Sequence, residues 1–233
     1  MASSPSLAAA LADAAADIHR HTDLDETLDA IALAARDAMP GIDHVGVTLA
    51  PGDHGPLTTA AATDDLVRRI DEVQFSSHEG PCVDAVESGT SDLVVLENAR
   101  HAGKYHRFVK GAIPLGLRST AAIRLFTGDK TVGVLNLYST SSDTIDEETR
   151  TIAELFALHA SYAYGHRHQV SHLQRAIESR ELIGNAVGIV MERYGLDRGR
   201  AFEYLVRVAA TSQVKVRVVA EELVSGFGAG SAE

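Results

Sequence analysis

Two hydrophobic periods run along this chain, and one gives way to the other near residue 140. From Asp23 to Ala38, Leu24, Leu28, Ile31 and Ala35 recur at helical spacing, and Pro40-Gly41 ends the run. Val45, Val47 and Leu49 alternate as a half-buried strand, and a turn over residues 51–56 lets residues 57–62 pair back. Residues 64–73 and 81–88 read as helices, with Pro81 suited to a first helical position and Gly89 to a stop. Residues 93–96 form a short strand and 104–113 a short helix; 118–126 and 131–138 form a hairpin across 127–130. The sum is a mostly antiparallel sheet flanked by helices, an α+β domain.

Beyond Tyr138 the strand signal ends. Asp146 to about Ser179 holds no proline and one glycine, and it predicts a single long helix. Ile152, Leu155, His159, Tyr162, His166, Gln169 and Leu173 alternate by three and four, as a coiled-coil seam does. Such a seam predicts a dimerising, signal-relaying helix, or one that lies against the protein's own sheet. Three helices follow. The first runs to Tyr194, with Ile183, Ala186, Val187, Val190 and Tyr194 on one face and Gly195 as its stop. Asp197 caps the second, which buries Ala201, Phe202, Leu205 and Ala209. The third begins near Ser212 or Gln213 and spaces Val216, Val219, Ala220, Leu223 and Val224 helically. Val214, Val216 and Val218 also alternate as a strand would, but no partner strand is near. The expected organisation is a helical extension over 1–22, an α+β domain over 23–168, an all-α three-helix module over 169–225 and a disordered tail over 226–233.

Charge changes this picture. The net charge of −11 opposes whole-molecule attraction to nucleic acid. Residues 1–169 carry 13 Lys/Arg against 24 Asp/Glu, whereas residues 170–233 carry 8 of each. The repulsive charge therefore belongs to the first segment, and the second can present a basic face. No run is long and apolar enough for a membrane span. The Ala-rich start resembles a signal peptide but lacks a basic leader and contains Asp13 and Asp17, so it reads as a helix. A single cysteine, Cys82, fits a reducing cytoplasm.

The run from Arg180 through Glu181-Leu182-Ile183-Gly184 and Gly188 to Tyr194-Gly195, followed by Ala201-Phe202, Leu205, Lys215 and Val219-Ala220, resembles an ANTAR domain. Where that family commonly has Ser and Asn before the third helix, this chain has Ala209 and Gln213. Upstream, Glu79 to Ala85, Gly116-Leu117-Arg118-Ser119 and Val132 to Tyr138 are similar to the GAF domains fused to ANTAR in actinobacteria; similar domains often have Trp-Pro at Tyr105-His106. The resemblance implies a GAF-like sheet domain with a pocket for a small-molecule or protein effector between sheet and helices. It also implies a dimeric module that binds paired hairpins in nascent transcripts and acts in antitermination.

RNA recognition needs cations for phosphates, plus donors and stacking surfaces for unpaired bases. Arg180, Arg193, Arg198, Arg200, Arg207, Lys215 and Arg217 supply charge, and Tyr194 and Gln213 supply base contacts. Lys215 and Arg217 are expected on the polar side of the third helix. Taken singly, each cation also reads as a solvated surface group. Gly184 and Gly188, four apart in a helix, predict tight packing within the domain, or close approach by RNA or a second subunit. Cys82 near a helix start reads as a small buried side chain before a redox sensor. His159, His166, His168 and His172 crowd the long helix, but nothing completes a metal site. The ligand pocket is not identified by the sequence, which calls for no catalytic residue and no cofactor. A reductase would need more cysteines than this chain has. A helical tail that docks proteins rather than RNA is the competing reading.

Overall fold

The computed structural model describes residues 23–50, 55–87 and 92–229. The expected helical extension, the start of the turn at 51–54 and Gly89 lie outside the described residues. The chain divides into two compact units after Arg167.

In the first unit, helix α1 (Leu24–Ala38) precedes strands β1 (His44–Leu49) and β2 (Thr58–Ala62). Helices α2 (Asp65–Ser77) and α3 (Pro81–Glu87), strand β3 (Leu93–Leu96) and helix α4 (His106–Ala112) follow. The hairpin β4 (Ser119–Thr127) and β5 (Lys130–Ser139) completes an antiparallel sheet in the order β2-β1-β5-β4-β3. Asp23 and Asp64 cap α1 and α2 by accepting from the N–H two residues on, each such cap contributing about 1 kcal/mol.

Both faces of the sheet are covered. On one, Leu28, Ile31 and Ala35 of α1 meet Val45, Val47, Leu135 and Leu137, together with Ile152, Phe156 and Ala160 of helix α5 (Glu147–Tyr194). On the other, Val67 and Ile70 of α2 and Phe108 of α4 pack around Tyr138, while Cys82 and Ala85 of α3 sit over Ala122 and Val134. This corrects the half-buried reading of β1, in which Gly46 and Thr48 are as buried as Val45 and Val47. Gly46 permits the second layer: a Cβ there would lie 2.4 Å from Val67 Cγ1.

Helix α5 is a single helix of 48 residues. The sequence reading divided it near Ser179, but no proline or glycine lies between Gly165 and Gly184 to break it. The expected seam is divided instead. Ile152 is buried in the sheet's core, whereas Leu155, Leu158 and Tyr162 face outward, and Tyr162 stacks on His166 with ring centroids 6.2 Å apart.

In the second unit, the end of α5 packs with α6 (Arg198–Ser212) and α7 (Val216–Ala229) around Ala186, Val190, Ala201, Leu205, Ala209, Val219 and Ala220. Tyr194 and Phe202, expected in this core, are instead exposed. Helix α7 also runs to Ala229, past the expected end at residue 225. Gly226 keeps an ordinary helical backbone and so weakens the helix without terminating it.

Candidate functional site

The first unit is built around a buried carboxylate, Asp71. Asp71 lies on the sheet-facing side of α2 with Val67, Ile70 and Gln74, and it is fully enclosed. Thr59 Oγ1 donates to its Oδ2 at 2.6 Å, and Thr48 Oγ1 to the same oxygen at 3.4 Å. The Tyr138 hydroxyl and, at 3.5 Å, Asn136 Nδ2 donate to Oδ1. Gln74 extends the network, donating to the Tyr138 oxygen at 2.9 Å and accepting from the Cys82 N–H at 3.0 Å. Burial pushes the Asp71 carboxyl up to about 6, and the hydroxyls of Thr59, Tyr138 and Thr48 keep it from rising further. Burial, then the charge of Asp71, pushes the Cys82 thiol up to about 12, the reverse of what a reactive thiolate needs.

The signature segments of the first unit hold this core. Glu79 accepts from the backbone N–H and Nε of Arg107, both at 2.7 Å, tying the start of α3 to α4. Asp84 accepts from the Tyr105 hydroxyl. Arg118 makes a two-pronged pair with Asp143 at the far end of the hairpin. Arg68, Arg69, Glu72, Val73, Gly111 and Leu115 line an open cavity of about 390 Å³ beside α2 and α4.

The expected RNA contacts fall in three places. Arg180 is exposed on α5, about 20 Å along the axis from Arg193 at 1.5 Å per residue. Arg193 and Tyr194 close that helix, and the Tyr194 ring lies 5.3 Å from that of Tyr204 on α6, tilted by 39°. Arg207 belongs with them: it lines a cleft of about 510 Å³ with Leu196, Arg200, Glu203, Tyr204, Val208, Thr211 and Ser212. Gln213, Lys215 and Arg217 form the third place.

At that third place the sequence reading needs correction. Helix α7 begins at Val216, so Lys215 precedes it, and its carbonyl accepts from the Val218 N–H at 2.9 Å. Arg217 lies in the first turn. Gln213 is the left-handed C-cap of α6 at φ 55, with Val214 N–H donating back to the Ala209 carbonyl at 3.0 Å. Asn adopts a left-handed backbone far more readily than Gln, which gives the common Asn at this point a conformational reason besides RNA contact. The cleft partners Tyr204 and Glu203 went unnoticed in the sequence. Their signal was the face Leu196, Arg200, Tyr204, Arg207 and Thr211, spaced by three and four.

Among the described residues, nothing packs tightly against Gly184 or Gly188. A Cβ at either meets nothing within 4 Å, and both are exposed. Replacing both by Ala is expected to stabilise the helical unit by about 2 kcal/mol, the summed propensity difference. A thermal melt checks this, and a variant no more stable than the parent would mean that the backbone there is not an ordinary exposed helix.

A layered GAF-type sheet fold followed by a three-helix module defines the class of this protein. The chain belongs to the GAF domain family, matched over residues 21–163, and an ANTAR domain follows over 171–224, the arrangement of a GAF–ANTAR regulator. The ANTAR domain is an RNA-binding antitermination domain. Among solved structures, the phycoerythrobilin-bound GAF domain of a cyanobacterial phytochrome aligns with a TM-score of 0.56 at 16% identity, covering 72% of this chain and 100% of that one. The GAF domain of an Acinetobacter phosphoenolpyruvate-protein phosphotransferase aligns at 0.55 and 19% identity, over 72% and 99% of the two chains. A free methionine-R-sulfoxide reductase from Neisseria meningitidis in complex with its substrate aligns at 0.57 and 19% identity, over 73% and 96%. These likenesses establish the fold alone. No curated protein sequence matches the chain. Among the described residues no helix is long and apolar enough to cross a membrane.

Proposed function

We propose that this protein is a cytoplasmic, non-enzymatic antitermination regulator, in which the helical unit binds hairpin RNA in nascent transcripts as a homodimer. The GAF unit senses a small molecule or a protein partner and passes the signal along α5. The observation that carries the RNA reading is the start of α7. Lys215 and Arg217 stand at the positive end of a helix dipole with no acidic residue in the first turn. Each such cation costs about 0.3–1 kcal/mol in the free protein, a cost that a bound phosphate reverses. Arg193 and Arg207 add charge, and no ion pair occupies either among the described residues. Pairing between copies is supported by the outward side chains Leu158 (57% exposed) and Tyr162 (61%) on α5. The buried, suppressed thiol of Cys82 argues against reductase chemistry despite the likeness in fold.

The test is salt-dependent binding to RNA hairpins, with duplex DNA as the control. Replacing Lys215 and Arg217 together by Ala is expected to weaken RNA binding and to flatten the slope of log K against log salt by about 1.5–2. An unchanged slope would remove both residues from the interface. Protein docking is the second reading, favoured by exposed Phe202 and Val206 side by side on α6. It predicts no retention of hairpin RNA at any salt concentration.

A further inference from the structure

The α6 cleft combines features that the sequence reading did not join. One helical face lines it with an aromatic ring, two cations and a carboxylate. Tyr204 is half-buried, and its ring contacts that of Tyr194 with centroids 5.3 Å apart. Among the described residues the Arg200 guanidinium has one ion-pair partner, Asp197 at 3.6 Å and exposed, a pair worth little in water. Arg207 and Glu203 make no ion pair among the described residues. A cleft of about 510 Å³ has room for a nucleotide.

We propose that this cleft takes one unstacked nucleotide of a bound RNA, with the base on Tyr204, its phosphates on Arg200 and Arg207, and Glu203 accepting from a base amino group. The assignment rests on the RNA-binding reading above and adds a base preference to it. An aromatic ring in the lining provides stacking that any base can use. A carboxylate accepts from the amino groups of adenine, cytosine or guanine but meets only acceptors and a single imide N–H on uracil. The cleft therefore disfavours uracil.

The probes are labelled RNA hairpins of one fixed stem whose loops are all adenosine, all cytidine, all uridine or abasic. With the full-length protein, adenosine and cytidine loops are expected to bind roughly tenfold or more tighter than the abasic loop, the range that base–aromatic stacking supplies. Tyr204→Leu should abolish that preference and Tyr204→Phe should keep it, with circular dichroism confirming the fold of both. Glu203→Gln should bring uridine and cytidine loops closer together. Arg200→Ala with Arg207→Ala should weaken every loop alike and lower the salt slope by about 1.5–2. If the parent protein binds all four loops equally, or if Tyr204→Leu keeps the preference, the cleft is not a base site although RNA binding stands. Failure of the parent to bind any hairpin at low salt would instead overturn the RNA reading and this inference together.

Discussion

Replacing Asp71 by Asn is expected to give the sensory unit a stability gain, relative to the parent, that grows by about 2.5 kcal/mol between pH 4 and pH 7. The carboxyl is pushed from 3.8 to about 6 by burial. Between those values the folded protein holds a proton that the unfolded chain has released, so parent stability falls as pH rises through the window. Above about 6 both states are ionised and the full cost remains; below the unfolded value it vanishes. Asn keeps one oxygen for the Tyr138 hydroxyl, while Thr48 and Thr59 can rotate to accept from the new amide. The other groups in direct contact stay silent in this window, because the Cys82 thiol and the Tyr138 phenol are both pushed upward. Asp43, Asp64 and Asp143, whose carboxyls are held low, titrate alike in both proteins and cancel in the difference. Urea melts of both proteins across the window provide the measurement, and parallel pH profiles would mean that Asp71 is not the buried anion described here. The consequence for sensing is direct. A ligand entering between α2 and the sheet must replace the donors that now hold Asp71, so the core is already tensioned against an intruder.

Most of the frame was legible because it rests on local rules. Asp23, Asp64 and Asp197 start helices where capping chemistry places them, and the β4–β5 hairpin follows from two alternating runs around Gly128-Asp129. The misreadings share one cause: a residue whose partner is distant. Asp71 carries no signal of its own in the sequence, although it follows Val67 by four and precedes Gln74 by three on the face toward the sheet. Asn136 and Tyr138 are visible in the sequence as part of a hairpin strand and of the GAF-like run Val132 to Tyr138, but their hydrogen bonds reach residues 65 and 67 positions away. Ile152 and Tyr162 fit one heptad pattern, yet the sheet claims the first and leaves the second outside. At the candidate interface the cations were legible by type, but their grouping was not. Tyr204 became significant only when the turn at Gly195 brought α6 back beside Tyr194.

Leu205→Ala is expected to unfold the helical unit and abolish its RNA binding while leaving the sensory unit's melting transition in place. Leu205 is fully buried at the centre of a core made of short side chains, including Ala186, Ala201, Ala209 and Ala220. Such neighbours cannot collapse into the space left by a leucine, so the loss falls toward the upper part of the usual range of about 2–5 kcal/mol. A module of three short packed helices has only about that much stability to lose. The sensory cores, by contrast, contain among the described residues none beyond Ala163, and Leu205 is in none of them. Two-probe melting would resolve this. Helical signal should be lost early, while the exchange protection of β1 and β5 amides persists to the parent's temperature. If one cooperative transition carried both signals downward together, the two units would share stability through α5, and the relay proposed above would have an energetic basis as well as a geometric one.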